Sequence, residues 1–316
     1  MSAKSKIQWT DVTWNPTRGC TRVSEGCRNC YAMRQAHRFS GAGAPYHGLT
    51  KLTKQGPDWT GKIRLVPEML EAPLHWRKPS RIFVDSMSDL FHPDVPFEFI
   101  DRVFAVMVMA GQHIYQVLTK RPERMKEYFG IGRDALLKNW YRATDKLNME
   151  DKWYAKVIGT FRSVDGPPLF PLPNVHLGTS CENQETADER IPLLLQTPAA
   201  VHFISAEPLL GPIDLDRAFE QTTESVFPGQ YHHREPVDWV IVGGESGPGA
   251  RPCYLADIRS IVAQCKRARI PAFVKQLGAF PIEDYPDMRK PLELKDKKGG
   301  NPSEWPEDLR VRQYPT

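Results

Sequence analysis

The sequence predicts an α/β fold: a full or partial (βα) TIM-like barrel with inserted segments. Three observations predict it. Short apolar runs recur through most of the chain, each run ends in small or polar residues, and each is followed by a longer segment with helical periodicity. Strand–helix–strand repetition of this kind builds a parallel sheet, because parallel strands need a crossover between them.

The first strand is the segment before Cys20, which contains Thr13-Trp-Asn-Pro16. The second is Arg81-Ile-Phe-Val-Asp85, three apolar residues closed by a carboxylate. The third, His113-Ile-Tyr-Gln-Val-Leu-Thr119, has the β-branched and aromatic content of a strand. Val175-His-Leu-Gly-Thr179, Val201-His-Phe-Ile-Ser205, Trp239-Val-Ile-Val242 and Ala272-Phe-Val-Lys275 follow, about seven strands in all. Between them Phe97 to Ala110, Glu185 to Gln196 and Leu255 to Arg269 carry the helical period and read as crossovers. Two stretches interrupt the rhythm. Residues 127–173, rich in Lys, Trp and Tyr, close on Pro-Pro-Leu-Phe-Pro-Leu-Pro, and residues 216–236 contain Tyr231-His-His-Arg-Glu-Pro236. Both read as insertions of the kind that shape pockets on the loop side of a barrel. The expected organisation is a single barrel over residues 1–281 and an irregular, exposed tail over 282–316.

Composition narrows the class. With 316 residues, 41% of them hydrophobic, the chain can bury a large core, and nothing approaches the ~18 consecutive apolar residues of a membrane span. The opening Met-Ser-Ala-Lys-Ser-Lys has no apolar run of a secretory leader, so the expected location is the cytoplasm, without a membrane partner. Six cysteines, three of them clustered, do not form the framework of a secreted disulfide protein. Net charge is only +4, but residues 1–40 hold seven cations (Lys4, Lys6, Arg18, Arg22, Arg28, Arg34, Arg38) against two acids (Asp11, Glu25). That excess suits phosphates or an anionic metal–thiolate centre, and equally a solvated helix face.

The cluster reads Gly19-Cys20-Thr-Arg-Val-Ser-Glu-Gly-Cys27-Arg-Asn-Cys30-Tyr31. Three thiolates with no fourth cysteine nearby differ from the closed four-ligand set of a structural zinc, and leave one position of a metal centre open for chemistry. In a βα barrel the productive residues follow the strands. The second strand ends in Asp85-Ser86-Met-Ser88-Asp89 with His92 beyond, the third in Thr119-Lys120-Arg121-Pro122, and the fourth in Thr179-Ser180-Cys181-Glu182-Asn183. Ser205-Ala-Glu207-Pro208, Gly243-Gly244-Glu245-Ser246 and Lys275-Gln276 close the others. Glu207 and Cys181 are the catalytic candidates. Lys120 and Arg121 suit an anion or simply snorkel at a helix start, and the glycines offer backbone N–H groups.

With three cysteines after the first strand of a βα barrel, the chain resembles the radical S-adenosylmethionine superfamily. That resemblance implies a [4Fe-4S] cluster on Cys20, Cys27 and Cys30 and S-adenosylmethionine on the unique iron. An electron donor reduces the cluster, and a 5'-deoxyadenosyl radical takes hydrogen from the substrate. Asp85, Ser86, Ser88, Lys120, Ser180, Glu182, Gly243, Gly244 and Glu245 are then the candidates for holding the cofactor. The spacing departs from the family's usual one: six residues, not three, separate Cys20 from Cys27, and Asn29 stands where an aromatic residue often precedes the last cysteine. Gly243-Gly-Glu245 follows the sixth strand, whereas the family's Gly-Gly-Glu follows the second. More closely, Thr13-Trp-Asn-Pro16, the cysteine stretch, Leu118-Thr-Lys-Arg-Pro122, Ser205-Ala-Glu-Pro208 and Gly243-Gly-Glu-Ser246 resemble a group of phage and bacterial three-cysteine proteins. That setting implies, by analogy, isomerisation of an amino-acid-decorated thymine in phage DNA within the host cytoplasm. Trp140, Tyr141, Trp153 and Tyr154 would then offer aromatic faces to an unstacked base, with Arg142 contacting phosphate. Two other readings are a zinc-stabilised nucleic-acid-binding protein with His37 or His47 as fourth ligand, and a metal-free hydrolase using Asp85, Glu207 or Glu245.

Overall fold

The computed structural model describes residues 5–147, 170–220, 237–285 and 288–315. The fold is mixed α/β. Its main sheet has seven strands: β1 (Val12–Trp14), β2 (Arg81–Val84), β3 (Ile114–Thr119), β4 (Val175–Ser180), β5 (Val201–Ala206), β6 (Trp239–Gly243) and β7 (Ala272–Gln276). They lie side by side in chain order. The pairs β1–β2, β2–β3, β5–β6 and β6–β7 are parallel. Chain-order parallel strands are what successive βα units produce, and the arrangement is compatible with a partial (βα) barrel. Each apolar run singled out in the sequence became a strand, with ends shifted by one residue at most.

By internal contacts the chain forms two compact units. The first comprises residues 1–21, 32–177 and 197–200. Its long helix α2 (Phe97–Met109) follows α1 (Tyr31–Arg38) and buries Phe99, Ile100, Val103, Phe104, Val106 and Met107. Helices α3 (Pro122–Phe129) and α4 (Arg133–Thr144) occupy the start of the expected insertion. Their aromatic rings close on α2: Phe104 stacks on Trp140 at 5.3 Å and meets Phe129 edge-on at 5.4 Å. The Trp140 indole N–H donates to the Tyr128 hydroxyl at 2.7 Å, and Tyr128 donates to Asp101 at 2.8 Å. This corrects one expectation. Trp140 is fully buried, so its ring belongs to the core and is not offered to a base. Residues 148–169, with Trp153 and Tyr154, and residues 221–236, with His232 and His233, lie outside the described residues.

The second unit comprises residues 22–31, 178–196 and 201–316. Alternate residues of β5, β6 and β7 pack with Ile258 and Ile261 of α6 (Leu255–Ala268). Helix α5 (Gln184–Leu194) starts at Asn183, whose side chain accepts the Thr186 N–H at 3.0 Å. Gly178 in β4 lies against the Phe203 ring, where a Cβ would collide. The stretch after residue 282 differs from the irregular, exposed tail expected. Pro281–Tyr285 and Met288–Pro291 pair antiparallel. Trp305 and Leu309 are buried in the core. Val274 N–H donates to Val311 O at 2.8 Å and Gln313 N–H to Ala272 O at 2.9 Å, so the chain end covers the open edge of β7. Scattered apolar residues in a polar, Pro-rich tail carry no period, which hid this packing. No described helix is long and apolar enough to cross a membrane.

Candidate metal and cofactor site

In the first unit the polar strand ends form one hydrogen-bonded floor. Asp85 follows β2 with φ of 55°, a left-handed backbone that Asp and Asn tolerate better than most residues. Its carboxyl accepts the Thr17 N–H at 3.1 Å and the Thr17 hydroxyl at 2.9 Å. Burial pushes its pKa up to about 7, against the hydrogen bonds from Ser88 and Thr17. Ser88 donates to Thr17 O at 3.0 Å, and Ser86 to Asn15 Oδ1 at 3.1 Å. Asp85, Ser86 and Ser88 therefore fix the loop after β1 from below.

One step along, Asp89 accepts from the Thr119 hydroxyl at 2.7 Å and from Lys120 N–H at 3.2 Å. It also pairs with Arg121 at 2.8 Å. Arg121 is 4% exposed, so it does not snorkel at the helix start. Burial works against its charge, but Asp89 and Cys20 more than offset this and hold it above the ordinary guanidinium value. Its Nη2 donates to Thr21 O at 3.1 Å and to Thr21 Oγ1 at 2.7 Å, while Nη1 lies 3.9 Å from Cys20 Sγ.

In the second unit the strand ends brace the loop that carries Cys27 and Cys30. Glu182, after β4, is ion-paired with Arg190 at 3.1 Å and accepts from the Ser24 hydroxyl at 2.8 Å. Ser24 Oγ is also 3.9 Å from Cys27 Sγ. Gly26 sits so tightly on Glu182 that a Cβ there would run into its carboxylate. Asn29 donates to Glu245 Oε2 at 2.9 Å, and Arg251 donates to Glu245 Oε1 at 2.8 Å and to Glu25 O at 2.9 Å. Burial raises the Glu245 carboxyl, yet Arg251 and Asn29 outweigh it and hold the group below the usual range. Asn29, at the position expected to be aromatic, thus ties the cysteine loop to the end of β6. Ser180 is buried, and its carbonyl accepts from Arg190 at 2.7 Å.

Glu207 and Lys275 form a 2.9 Å ion pair at the ends of β5 and β7, with Ser205 donating to Glu207 at 3.1 Å. Gly243 packs closely there: a Cβ would come within 2.9 Å of Glu207 Oε1 and 3.0 Å of Gln276 O. At Gly244 a Cβ would strike Leu277 O. These two glycines serve close packing at the strand ends. Cys181 is completely buried among Ile204, Ala206 and Leu209, the surroundings of a small apolar residue. Sequence reasoning missed the partners that do the holding: Thr17, Asn15, Arg190, Arg251 and the buried side of Arg121. Thr17, Asn15 and Arg121 are polar residues near a strand end, whereas Arg190 sits inside α5 and Arg251 eight residues beyond β6, where the sequence gives no signal.

None of the cysteines is in a disulfide, and Cys20, Cys27 and Cys30 are partly exposed. Among the described residues no three His, Cys, Asp or Glu side chains are gathered as a ready metal site. Taken one by one, the thiols have the donor chemistry an iron–sulfur cluster uses: in the first unit an N–H donor is aimed at Cys20, and in the second an O–H group lies beside Cys27. His37, the zinc alternative, has Nδ1 3.2 Å from Thr50 Oγ1. Neither a curated protein nor a solved structure significantly matches the chain. A family model described as a protein of unknown function (DUF5131) matches residues 4–305, almost the whole length, and the chain belongs to that family.

Proposed function

We propose that this protein is a radical S-adenosylmethionine enzyme on a TIM-like partial barrel, with Cys20, Cys27 and Cys30 as the ligands of a [4Fe-4S] cluster. One observation carries the reading: three thiols fall within the eleven residues from Cys20 to Cys30, directly after the first of seven chain-ordered strands, with no fourth cysteine before Cys181. Three ligands leave one iron for a cofactor. When bound and reduced by an external electron donor, the cluster supplies the one-electron cleavage of S-adenosylmethionine.

The chain's own residues prepare for this in definable ways. Glu182 and Glu245 hold the loop of Cys27 and Cys30 through Ser24, Asn29 and Arg251. Lys120, at the end of β3, and separately the Glu207–Lys275 pair are the charged groups we assign to the cofactor or the substrate. Asp85, Ser86 and Ser88 set the loop after β1. For the substrate we propose a nucleobase or nucleotide in DNA, with an amino-acid-decorated thymine as the specific case, met in the cytoplasm of a cell or phage host. Lys6, Arg22, Arg28 and Arg38 are exposed, and exposed cations are the groups a phosphate backbone would meet.

The test is anaerobic incubation of the reconstituted protein with S-adenosylmethionine and dithionite. Methionine and 5'-deoxyadenosine should form, and Cys20→Ser, Cys27→Ser and Cys30→Ser should each abolish both. A cluster-bearing protein that leaves S-adenosylmethionine intact would overturn the reading.

A further inference from the structure

Arg121 has more partners than an anchoring ion pair needs. Its guanidinium is buried, its Nη1 is satisfied by Asp89 at 2.8 Å, and Asp89 is itself fixed by Thr119, Lys120 N–H and Phe91 N–H. A buried guanidinium must place its remaining N–H groups as well, and the informative point is where they go. Nη2 donates to both the carbonyl and the hydroxyl of Thr21, and Nη1 also reaches toward the sulfur of Cys20 at 3.9 Å. The Thr21 hydroxyl is held from its other side by His92 Nε2 at 2.9 Å. Two strand ends, β2 and β3, are therefore joined through one cation to the first cysteine and the residue after it. A planar fork can do this and an ammonium cannot.

We propose that Arg121 is a positioning residue for the cysteine centre: it fixes the Cys20 segment for iron attachment and places a permanent positive charge beside the Cys20 sulfur. The proposal rests on the reading of Cys20, Cys27 and Cys30 as cluster ligands, and adds how this chain tunes that cluster. Reduction adds one electron to the cluster, taken from dithionite in the assay, and makes or breaks no bond. A fixed cation beside a ligand sulfur favours the more negative, reduced state, because net charge and hydrogen bonds to the sulfurs set the potential.

The experiment compares wild type, Arg121→Met and Arg121→Lys after anaerobic reconstitution. It measures midpoint potential by spectroscopic redox titration and the rate of iron release to a chelator, with far-UV circular dichroism as the check of fold. Arg121→Met should shift the potential to more negative values and speed iron release about tenfold or more, the usual effect of removing a group that orients a metal ligand. Arg121→Lys should keep most of the potential and still release iron faster, since the charge stays and the fork is lost. If wild type binds iron and Arg121→Lys and Arg121→Met match it in both measurements, this inference falls and the cluster reading stands. A wild type that binds no iron removes both. Where Arg121→Met fails to fold, Arg121→Lys decides alone: iron release equal to wild type overturns the inference.

Discussion

Asp85→Asn should make the protein more stable, and by an amount that grows with pH. The wild-type carboxyl is buried and its pKa rises from 3.8 to about 7. Between those values the folded chain keeps a proton that the unfolded chain releases, so folding stability falls as pH rises through the window and the whole cost is present above pH ~7. A shift of roughly three units corresponds to at most ~4 kcal/mol. From pH 5 to pH 8 the wild type should lose about 2–3 kcal/mol of that. The amide can replace the protonated acid bond for bond. Its oxygen accepts the Thr17 N–H, its NH2 donates to the Thr17 hydroxyl, Thr17 donates to Ser88 Oγ, and Ser88 donates to Thr17 O. Asn also tolerates the left-handed φ of 55° at this position. The assay is urea unfolding of metal-free, reduced wild type and Asp85→Asn at both pH values. The gap between them should widen by about 2–3 kcal/mol toward pH 8. A gap constant within about 0.5 kcal/mol would refute the argument that Asp85 is held largely neutral by burial.

Three further outcomes follow from the same geometry. Gly26→Ala puts a methyl into the Glu182 carboxylate, which Arg190 and Ser24 prevent from moving aside, so it should cost about 1–3 kcal/mol and slow iron loading, as read by unfolding and reconstitution. Glu207→Gln leaves Lys275 without its anion at nearly constant volume; it should cost about 1–3 kcal/mol, keep the cluster and weaken cofactor or substrate binding, and unchanged binding and turnover would return Glu207 to a structural role. DNA affinity, measured by anisotropy, should fall steeply with rising salt if the exposed cations of residues 1–40 meet phosphates, and absence of binding at low salt would remove DNA as the substrate.

The main sheet was legible because its strands are nearly continuous apolar runs, as strands covered on both faces must be. Val240, Ile241 and Val242 are all completely buried, and no helical period competes with them. The cysteines and the polar strand ends were legible for a similar reason, since residue type and position after a strand are both visible in a sequence. What each polar residue holds was not. Glu182 and Glu245 read as groups for a cofactor, yet their carboxylates are taken up by Ser24, Arg190, Asn29 and Arg251, contacts spanning up to 216 residues of chain. Trp140 read as an exposed aromatic beside cations, because Tyr141 and Arg142 follow it. Its burial depends on Phe104 of α2, which lies 36 positions earlier and is brought near only by helix packing. Such pairings are fixed by tertiary geometry, to which local pattern is blind.

The central claim is that Cys20, Cys27 and Cys30 together hold one iron–sulfur cluster. The measurement that tests it most directly is iron, sulfide and zinc analysis of protein purified without oxygen, with electron paramagnetic resonance of the reduced sample, for wild type and the three single Cys→Ser variants. Wild type should carry about four irons and four sulfides per chain with a reduced-cluster signal, and each serine variant should lose both. A colourless protein with one zinc, or serine variants that keep wild-type iron, would contradict it.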